Sequence, residues 1–410
     1  MIEVFAVIWV HPMNSTVSSN TPLSSMGAPD LPLELSIQIR PELASFGTGN
    51  SRLHHQVCLF ILFVLVSASA FSAFYEKWHF REPGSRGTDL IAEFDRMIDG
   101  TANRPYVYRQ LLPDTANWMV RALPVETIGR YVSLRARDKI SDALNLRGKK
   151  YPIQYVIIYI ATYLSALLAT FFLYRVGRAA KLPEPAAVFT AVVFMLIFPL
   201  VGVKGGYFFD FPELLFMAVA AWMALELDWW WIIPIAALGT WNKESFLLFM
   251  FTLYPLFRRR YSRVTSLIGV GVLVLVCAVV YLPIRLYYAH NTGGTVEWHL
   301  GEQVTFLLHP LLVDNLIDRT YDLMFPAFSS LIPFAILVWT VWRGWRLLPV
   351  WAKRHAQIAA AINVPLYLLF CMPGEFRDLS MLFISFLLIL AVNLQQWIDA
   401  NSSRPVQSLA

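Results

Sequence analysis

Three short polar stretches interrupt long apolar runs in this chain: 204–213 (KGGYFFDFPE), 241–245 (WNKES) and 373–378 (PGEFRD). Between them they carry Asp210, Glu213, Lys243, Glu244, Glu375, Arg377 and Asp378. A carboxylate can take the proton of an attacking hydroxyl, and a cation can hold a departing phosphate. Charged side chains at membrane depth are costly, so a cluster of them marks a site rather than a simple connection between spans. Alternative roles stay open for each: Asp210 and Glu213 stand where a helix N-terminus favours acids, Lys243 and Glu244 can pair with other loop residues, and Glu375, Arg377 and Asp378 can form an ion-pair brace.

A second group of candidates lies between Glu76 and Tyr151. Leu90, Ile91, Phe94, Met97 and Ile98 recur at helical spacing, which predicts a short amphipathic surface helix with Asp89 near its start and Gly100 at its end. Glu93 and Asp95 lie on the same segment. A second helix is expected to begin near Pro105, with Val107, Leu111 and Leu112 on its apolar side. Arg104 and Arg109 would then reach headgroup level, and with Tyr106 and Tyr108 they would grip a lipid phosphate, as paired guanidinium donors do. Arg and Tyr also serve as plain interfacial anchors.

Composition says what positions these residues. The chain of 410 residues is 57% hydrophobic and 15% aromatic, with mean hydropathy +0.52, which exceeds a soluble domain and implies a polytopic, all-α membrane protein. The formal charge of +5 does not mark a nucleic-acid partner, because the basic residues gather beside span ends rather than in one stripe. Cys58, Cys277 and Cys371 fall in apolar runs without ligand spacing and are expected to be packing residues. His290, His299 and His309 match no zinc-binding pair, and no nucleotide-cradling glycine loop or nucleophilic serine motif is found, so neither a metal nor a cofactor is expected.

Hydropathy predicts about ten spans: Gln56–Tyr75, Pro152–Tyr174, Pro185–Val203, Phe208–Leu227, Trp229–Trp241, Glu244–Phe257, Val264–Tyr288, Leu323–Trp342, Ala356–Met372 and Leu379–Trp397. The fifth and sixth are short and are expected to dip in as a pair around Asn242, Lys243 and Glu244. This count puts Arg175, Arg178 and Lys181, the Arg258–Arg263 cluster, and Arg343, Arg346, Lys353 and Arg354 on the cytoplasmic side together with both termini. The three polar stretches then share the outer face with loop 76–151. Residues 1–50 are Ser, Thr, Asn and Pro-rich without periodicity and are expected to be disordered, although translation starting at Met26 or later fits the same composition. Residues 51–400 form one transmembrane domain, followed by a short tail over 401–410.

An acidic residue early in the first external loop, a surface helix ending in Gly, and the string Arg104-Pro-Tyr-Val-Tyr-Arg109-Gln-Leu-Leu-Pro113 together resemble the GT-C superfamily of membrane glycosyltransferases, poorly characterised bacterial members included. That resemblance implies transfer of a single sugar from a polyprenyl-phosphate carrier, in a bacterial-type inner membrane, to a lipid, glycan or protein acceptor. By it Asp89 is the leading general base, with Glu93 and Asp95 as substitutes. Arg104, Tyr108, Arg109, Asp210, Lys243, Glu244, Glu375 and Arg377 become substrate-binding candidates. Two departures stand beside it: Asp89 lies well beyond Tyr75 and is followed by Leu90, and Asp228-Trp-Trp-Trp231 has the wrong order for an oligosaccharyltransferase signature. A glycolipid transporter and a noncatalytic subunit of an envelope-glycan complex are the alternatives, although no paired halves are evident.

Overall fold

The computed structural model describes residues 50–78, 90–124, 150–202, 205–294, 296, 298–308, 317–327 and 330–402. Asp89, the segment 1–49 and the tail beyond 402 lie outside these residues. The long helices follow directly from the apolar runs. They are α1 (Asn50–Tyr75), α4 (Pro152–Ala179), α5 (Glu184–Val201), α6 (Asp210–Glu226), α10 (Arg263–Tyr287), α12 (Leu331–Leu347), α13 (Val350–Phe370) and α14 (Phe383–Ser402). Among the described residues five stretches, Leu53–Tyr75, Pro152–Ala179, Glu184–Val201, Arg263–Tyr287 and Phe376–Ala400, are long and apolar enough to cross a membrane, consistent with a multi-pass membrane protein.

Contacts at the helix ends fall into two sets. In one, the His55 ring bonds the Glu184 carboxylate at 2.9 Å, Arg260 lies 3.5 Å from Asp228, and Arg343 donates to Gln396 at 3.4 Å. In the other, Trp78 bridges to Gly206, the Arg104 amide donates to the Thr292 carbonyl, and the His299 amide donates to the Leu369 carbonyl. Arg175 at the end of α4 lies over the Trp222 ring near the end of α6, and Arg259 lies over Trp351 at the start of α13, so the basic clusters gather at the first set of ends and helices joined by short connections run in alternating directions. Both α5 and α6 pack on α4, and Phe74, Phe198 and Phe211 meet edge-on or tilted in the core between α1, α5 and α6.

The short pair expected around residue 243 is present as α7 (Ile233–Asn242), α8 (Phe246–Thr252) and α9 (Tyr254–Phe257). Its crossing is close because Gly239 has no side chain: a Cβ there would lie 2.5 Å from the buried Phe246 ring. Lys243, Glu244 and Ser245 form the tip, with the Lys243 amide still bonded to the Gly239 carbonyl and the Phe246 amide to the Lys243 carbonyl. The two helices thus continue to hold backbone groups on either side of the break, as an interruption inside an apolar region requires.

In the loop between α1 and α4 the expected amphipathic helix is α2 (Leu90–Asp99), ended by Gly100 in the left-handed region at φ +71°. Phe94, Met97 and Ile98 are its buried face. The second helix, α3 (Leu111–Ala122), starts later than expected, because Tyr106–Tyr108 forms a 3-10 turn first. Helix α11 (Leu300–Leu308) follows α10 and packs on α13. Two boundaries need correction. The segment expected to open a span at Leu323 is instead an antiparallel ribbon, β1 (Ile317–Thr320) with β2 (Leu323–Pro326), turning at Tyr321 and Asp322, both with positive φ. The helix begins only at Leu331, after the 3.4-Å rise of a strand has replaced helical packing for Leu323–Pro326. The helix expected from Ala356 begins at Val350, because Pro349 ends the preceding connection and can stand before the first turn without a lost amide bond.

Candidate functional site

The three polar stretches meet at the end of the helices opposite the basic clusters. Asp210 and Glu213 come from the first turn of α6, Lys243 and Glu244 from the tip between α7 and α8, and Arg377 and Asp378 from the 3-10 segment Phe376–Leu382 that precedes α14. Asp210, Glu213, Lys243 and Arg377 are each at most 5% exposed. Groups so far from water persist only when charge is answered by charge and the remaining lone pairs are filled.

Lys243 sits at the centre. Its Nζ donates to Glu213 Oε2 at 2.8 Å and Asp378 Oδ1 at 3.0 Å, and lies 3.9 Å from Asp210 Oδ1. The other Glu213 oxygen accepts from Ser245 Oγ at 2.9 Å and Ser380 Oγ at 2.8 Å, so that carboxylate is fully used. Arg377 donates to Glu375 Oε1 at 2.8 Å and the Gly205 carbonyl at 3.3 Å, and its Nη1 lies 3.6 Å from Asp210 Oδ2. Glu375 is reached by a turn at Gly374, φ +87°, whose amide donates to the Tyr367 hydroxyl. Burial pushes the Glu375 carboxyl up, against the opposing pull of Arg377.

Arg109 joins from the loop between α1 and α4. Expected at headgroup level, it is turned inward and makes a two-pronged contact with Glu244, Nη2 to Oε1 at 2.9 Å and Nε to Oε2 at 3.3 Å. Burial disfavours the charge on both partners, but their mutual attraction prevails: the Glu244 carboxyl is held below, and the Arg109 guanidinium above, its ordinary range. Asn363 on α13 fastens the Asp378 segment, donating to the Asp378 carbonyl and accepting from the Met381 amide.

Aromatic rings connect the charges. Tyr207 and Phe209 stack with centroids 4.9 Å apart and planes 9° from parallel. The Arg377 guanidinium carbon lies 4.6 Å from the Tyr207 centroid, and that of Arg109 lies 4.5 Å from Phe209. Tyr106 and Tyr207 share a hydroxyl hydrogen bond at 3.1 Å. Five carboxylates, Asp210, Glu213, Glu244, Glu375 and Asp378, face three cations, Arg109, Lys243 and Arg377. The surplus is of acceptors, and Asp210 Oδ1 is one of them, buried with no hydrogen-bond partner among the described residues. A hydroxyl donor suits such an oxygen better than an added anion does.

Other candidates stand apart. The Arg104 guanidinium donates to the Gly293 carbonyl at 2.6 Å, tying the loop to the segment after α10. Tyr108 is buried edge-on to Tyr281, 6.4 Å between centroids. Asp95 lies on α2, half-buried, and Glu93 is on the same helix. The capping role open to Asp210 is not the one adopted: its Oδ2 accepts from the Tyr207 amide, three residues earlier, and Phe209 occupies the cap position. His299 contacts Glu302, and His309 lies outside the described residues. The three cysteines are free.

Sequence reasoning missed several members. Tyr207 and Phe209 sit inside the 204–213 stretch and read there as ordinary apolar residues. Lys77 and Asp318 form a half-buried ion pair, with Lys77 also donating to the Pro199 carbonyl at 3.0 Å; burial lowers the Lys77 pKa, and Asp318 opposes it. Asp114 on α3 lies near Trp241, next to the tip, and burial pushes its carboxyl up against the opposing pull of that indole. A lone acid after Leu111-Leu-Pro113 offers no pattern from which that partner could be read. Compared with protein-family models, curated proteins and solved structures, the chain matches none.

Proposed function

We propose that this protein is a multi-pass membrane glycosyltransferase that moves a single sugar from a polyprenyl-phosphate carrier to a lipid, glycan or protein acceptor on the extracytoplasmic face. In this reading about ten helical legs cross the membrane, α7 and the α8–α9 leg forming the short pair, and the basic helix ends with both termini lie in the cytoplasm of a bacterial-type cell. The observation that carries it is the buried, acceptor-rich ionic network at one common end of apolar helices, bordered by amphipathic surface helices. Sugar hydroxyls donate to such carboxylates, and stacked aromatic rings offer a flat face to a sugar ring.

A carboxylate takes the acceptor hydroxyl proton, the acceptor oxygen bonds the anomeric carbon, and the bond from that carbon to the phosphate oxygen breaks, releasing polyprenyl phosphate. By resemblance Asp89 is the base, with Glu93 and Asp95 as substitutes, and Arg104, Tyr108 and Arg109 bind the carrier phosphate. Arg109 would do so by giving up Glu244, so phosphate binding and release of that carboxylate go together. Asp210, Lys243, Glu244, Glu375 and Arg377 form the substrate-facing network. Asp89→Asn keeps size and polarity but not proton acceptance, so turnover should fall about 10²–10⁴-fold at unchanged protein level. Full activity in Asp89→Asn, Glu93→Gln and Asp95→Asn alike would remove the base from this loop.

One observation favours a second reading, a glycolipid transporter. A helical leg broken at a charged tip, as at Lys243–Ser245, is how transporters expose polar groups to cargo. Mass spectrometry of envelope glycans and glycolipids with and without the gene separates the two. A product lacking one sugar supports transfer, whereas a complete lipid-linked glycan accumulating in the cytoplasmic leaflet supports transport.

A further inference from the structure

At the helix ends opposite the ionic network, a cavity of about 380 Å³ opens between α9 and the start of α13. Arg258 and Arg354 line it together with Tyr254, Pro255, Val350 and Trp351, so two guanidinium groups share a largely apolar hollow. Arg259 extends the same face, its guanidinium carbon 4.7 Å from the centroid of the Trp351 ring.

The charges here are unlike those of the network. Arg258 donates to the Tyr261 carbonyl at 2.6 Å, and among the described residues no carboxylate pairs with Arg258, Arg259 or Arg354. Asp228, just past the end of α6, is taken up by Arg260 and Tyr261. An uncompensated pair of cations beside an apolar hollow is complementary to a molecule with an anionic head and a hydrocarbon body. A free inorganic anion would leave Pro255, Val350 and the Trp351 ring uncovered, and a neutral lipid would leave the guanidinium groups unanswered. Guanidinium forks bind phosphate oxygens in pairs, Trp and Tyr favour the headgroup level, and basic pockets between helices take up acidic headgroups.

We propose that this cavity is a binding site for an anionic phospholipid of the surrounding bilayer, its phosphate held by Arg258 and Arg354 and its first methylenes laid against Pro255, Val350 and Trp351. The site is separate from the network and does not depend on the reading of that network as a transferase.

The test is native mass spectrometry of the full-length protein released from detergent after incubation with phosphatidylglycerol, phosphatidylcholine, undecaprenyl phosphate or inorganic phosphate. Phosphatidylglycerol should be retained and phosphatidylcholine should not. Arg258→Gln with Arg354→Gln should weaken that retention roughly tenfold or more, while Arg343→Gln, a cation of the same face outside the cavity, should leave it unchanged. Val350→Trp fills the hollow and keeps both cations, so it should also expel the lipid. If the double glutamine variant does not fold, the Val350→Trp result decides. Equal retention of phosphatidylcholine, an unchanged signal in these variants, or equal loss in Arg343→Gln overturns the proposal. Displacement of phosphatidylglycerol by undecaprenyl phosphate at equal concentration overturns the bilayer source in favour of a carrier lipid, and displacement by inorganic phosphate alone overturns the amphiphile.

Discussion

Replacing Lys243 by Met removes the cation on which three carboxylates converge, two of them, Asp210 and Glu213, buried. At an effective dielectric constant of about 20, contacts like those at 2.8, 3.0 and 3.9 Å are worth roughly 4 to 6 kcal/mol each before desolvation and repulsion among the acids are counted. Taking one ammonium out of water costs several kcal/mol, so the attraction exceeds the loss only because three acids share the one cation. Without it, Glu213 keeps the two serine hydroxyls and Asp210 keeps Arg377 and the Tyr207 amide, while Asp378 is left with the charges of Arg377 and Arg109. Breaking a buried pair from one side generally costs about 3 to 5 kcal/mol, and that is the expected destabilisation of Lys243→Met. Adding Glu213→Gln to Lys243→Met should recover about 0.5 to 3 kcal/mol, since the two side chains are in direct contact. The assay is reversible unfolding in mixed detergent micelles followed by tryptophan fluorescence. Arg319→Gln serves as the comparison, because the Arg319–Asp322 pair is 69% exposed on both sides and should matter by less than about 1 kcal/mol. If Lys243→Met is no more harmful than Arg319→Gln, water reaches the ammonium and the network is not a buried one.

Glu244 has its carboxyl held down in the folded protein, so the Arg109 pair contributes stability that is present above the ordinary carboxylate pKa and is lost as pH falls through the lower folded value. Unfolding curves of wild type and Glu244→Gln should keep a constant separation from pH 7 to about 5 and converge only below roughly pH 4; convergence already near pH 6 would contradict the sign of the shift. Gly239→Ala places a methyl 2.5 Å from the Phe246 ring and should destabilise by about 1 to 3 kcal/mol, read in the same unfolding assay, with an unchanged value arguing against the close crossing of α7 and α8. A reporter fused after Arg263 should read cytoplasm and one after Thr292 the outer space, because positive charge in short loops stays inside; the reverse pair of signals would invert the topology.

Much of this fold is legible in local properties. Whether a segment is helical and apolar enough to cross a membrane depends on its own residues, since lipid leaves the backbone no partner outside its own helix. The runs around α1, α4, α5 and α10, the Gly100 stop and the break at Lys243 are all of this kind. The segment at Leu323–Pro326 is where that reasoning failed: Leu, Met and Phe satisfy hydropathy equally well as strand or span, and only pairing with Ile317–Thr320 makes it a ribbon.

The candidate site divides the same way. That Asp210, Glu213, Lys243, Glu244, Glu375, Arg377 and Asp378 lie at span ends on one side follows from counting helices and basic loops along the chain. Which of them pair does not. Arg109 with Glu244 and Lys243 with Asp378 each join residues 135 apart, and Lys77 with Asp318 joins residues 241 apart. No periodicity links such positions. Their partnership is decided when packed helices bring the ends together and exclude water, which raises the cost of any charge left alone and turns Arg109 inward from the surface its sequence context suggests. Composition and spacing alone determined that this is a helical, membrane-type chain with charges gathered at one face; tertiary packing alone decided that those charges form one closed network with an acceptor to spare, because desolvation acts on groups that meet in space and not on neighbours in sequence.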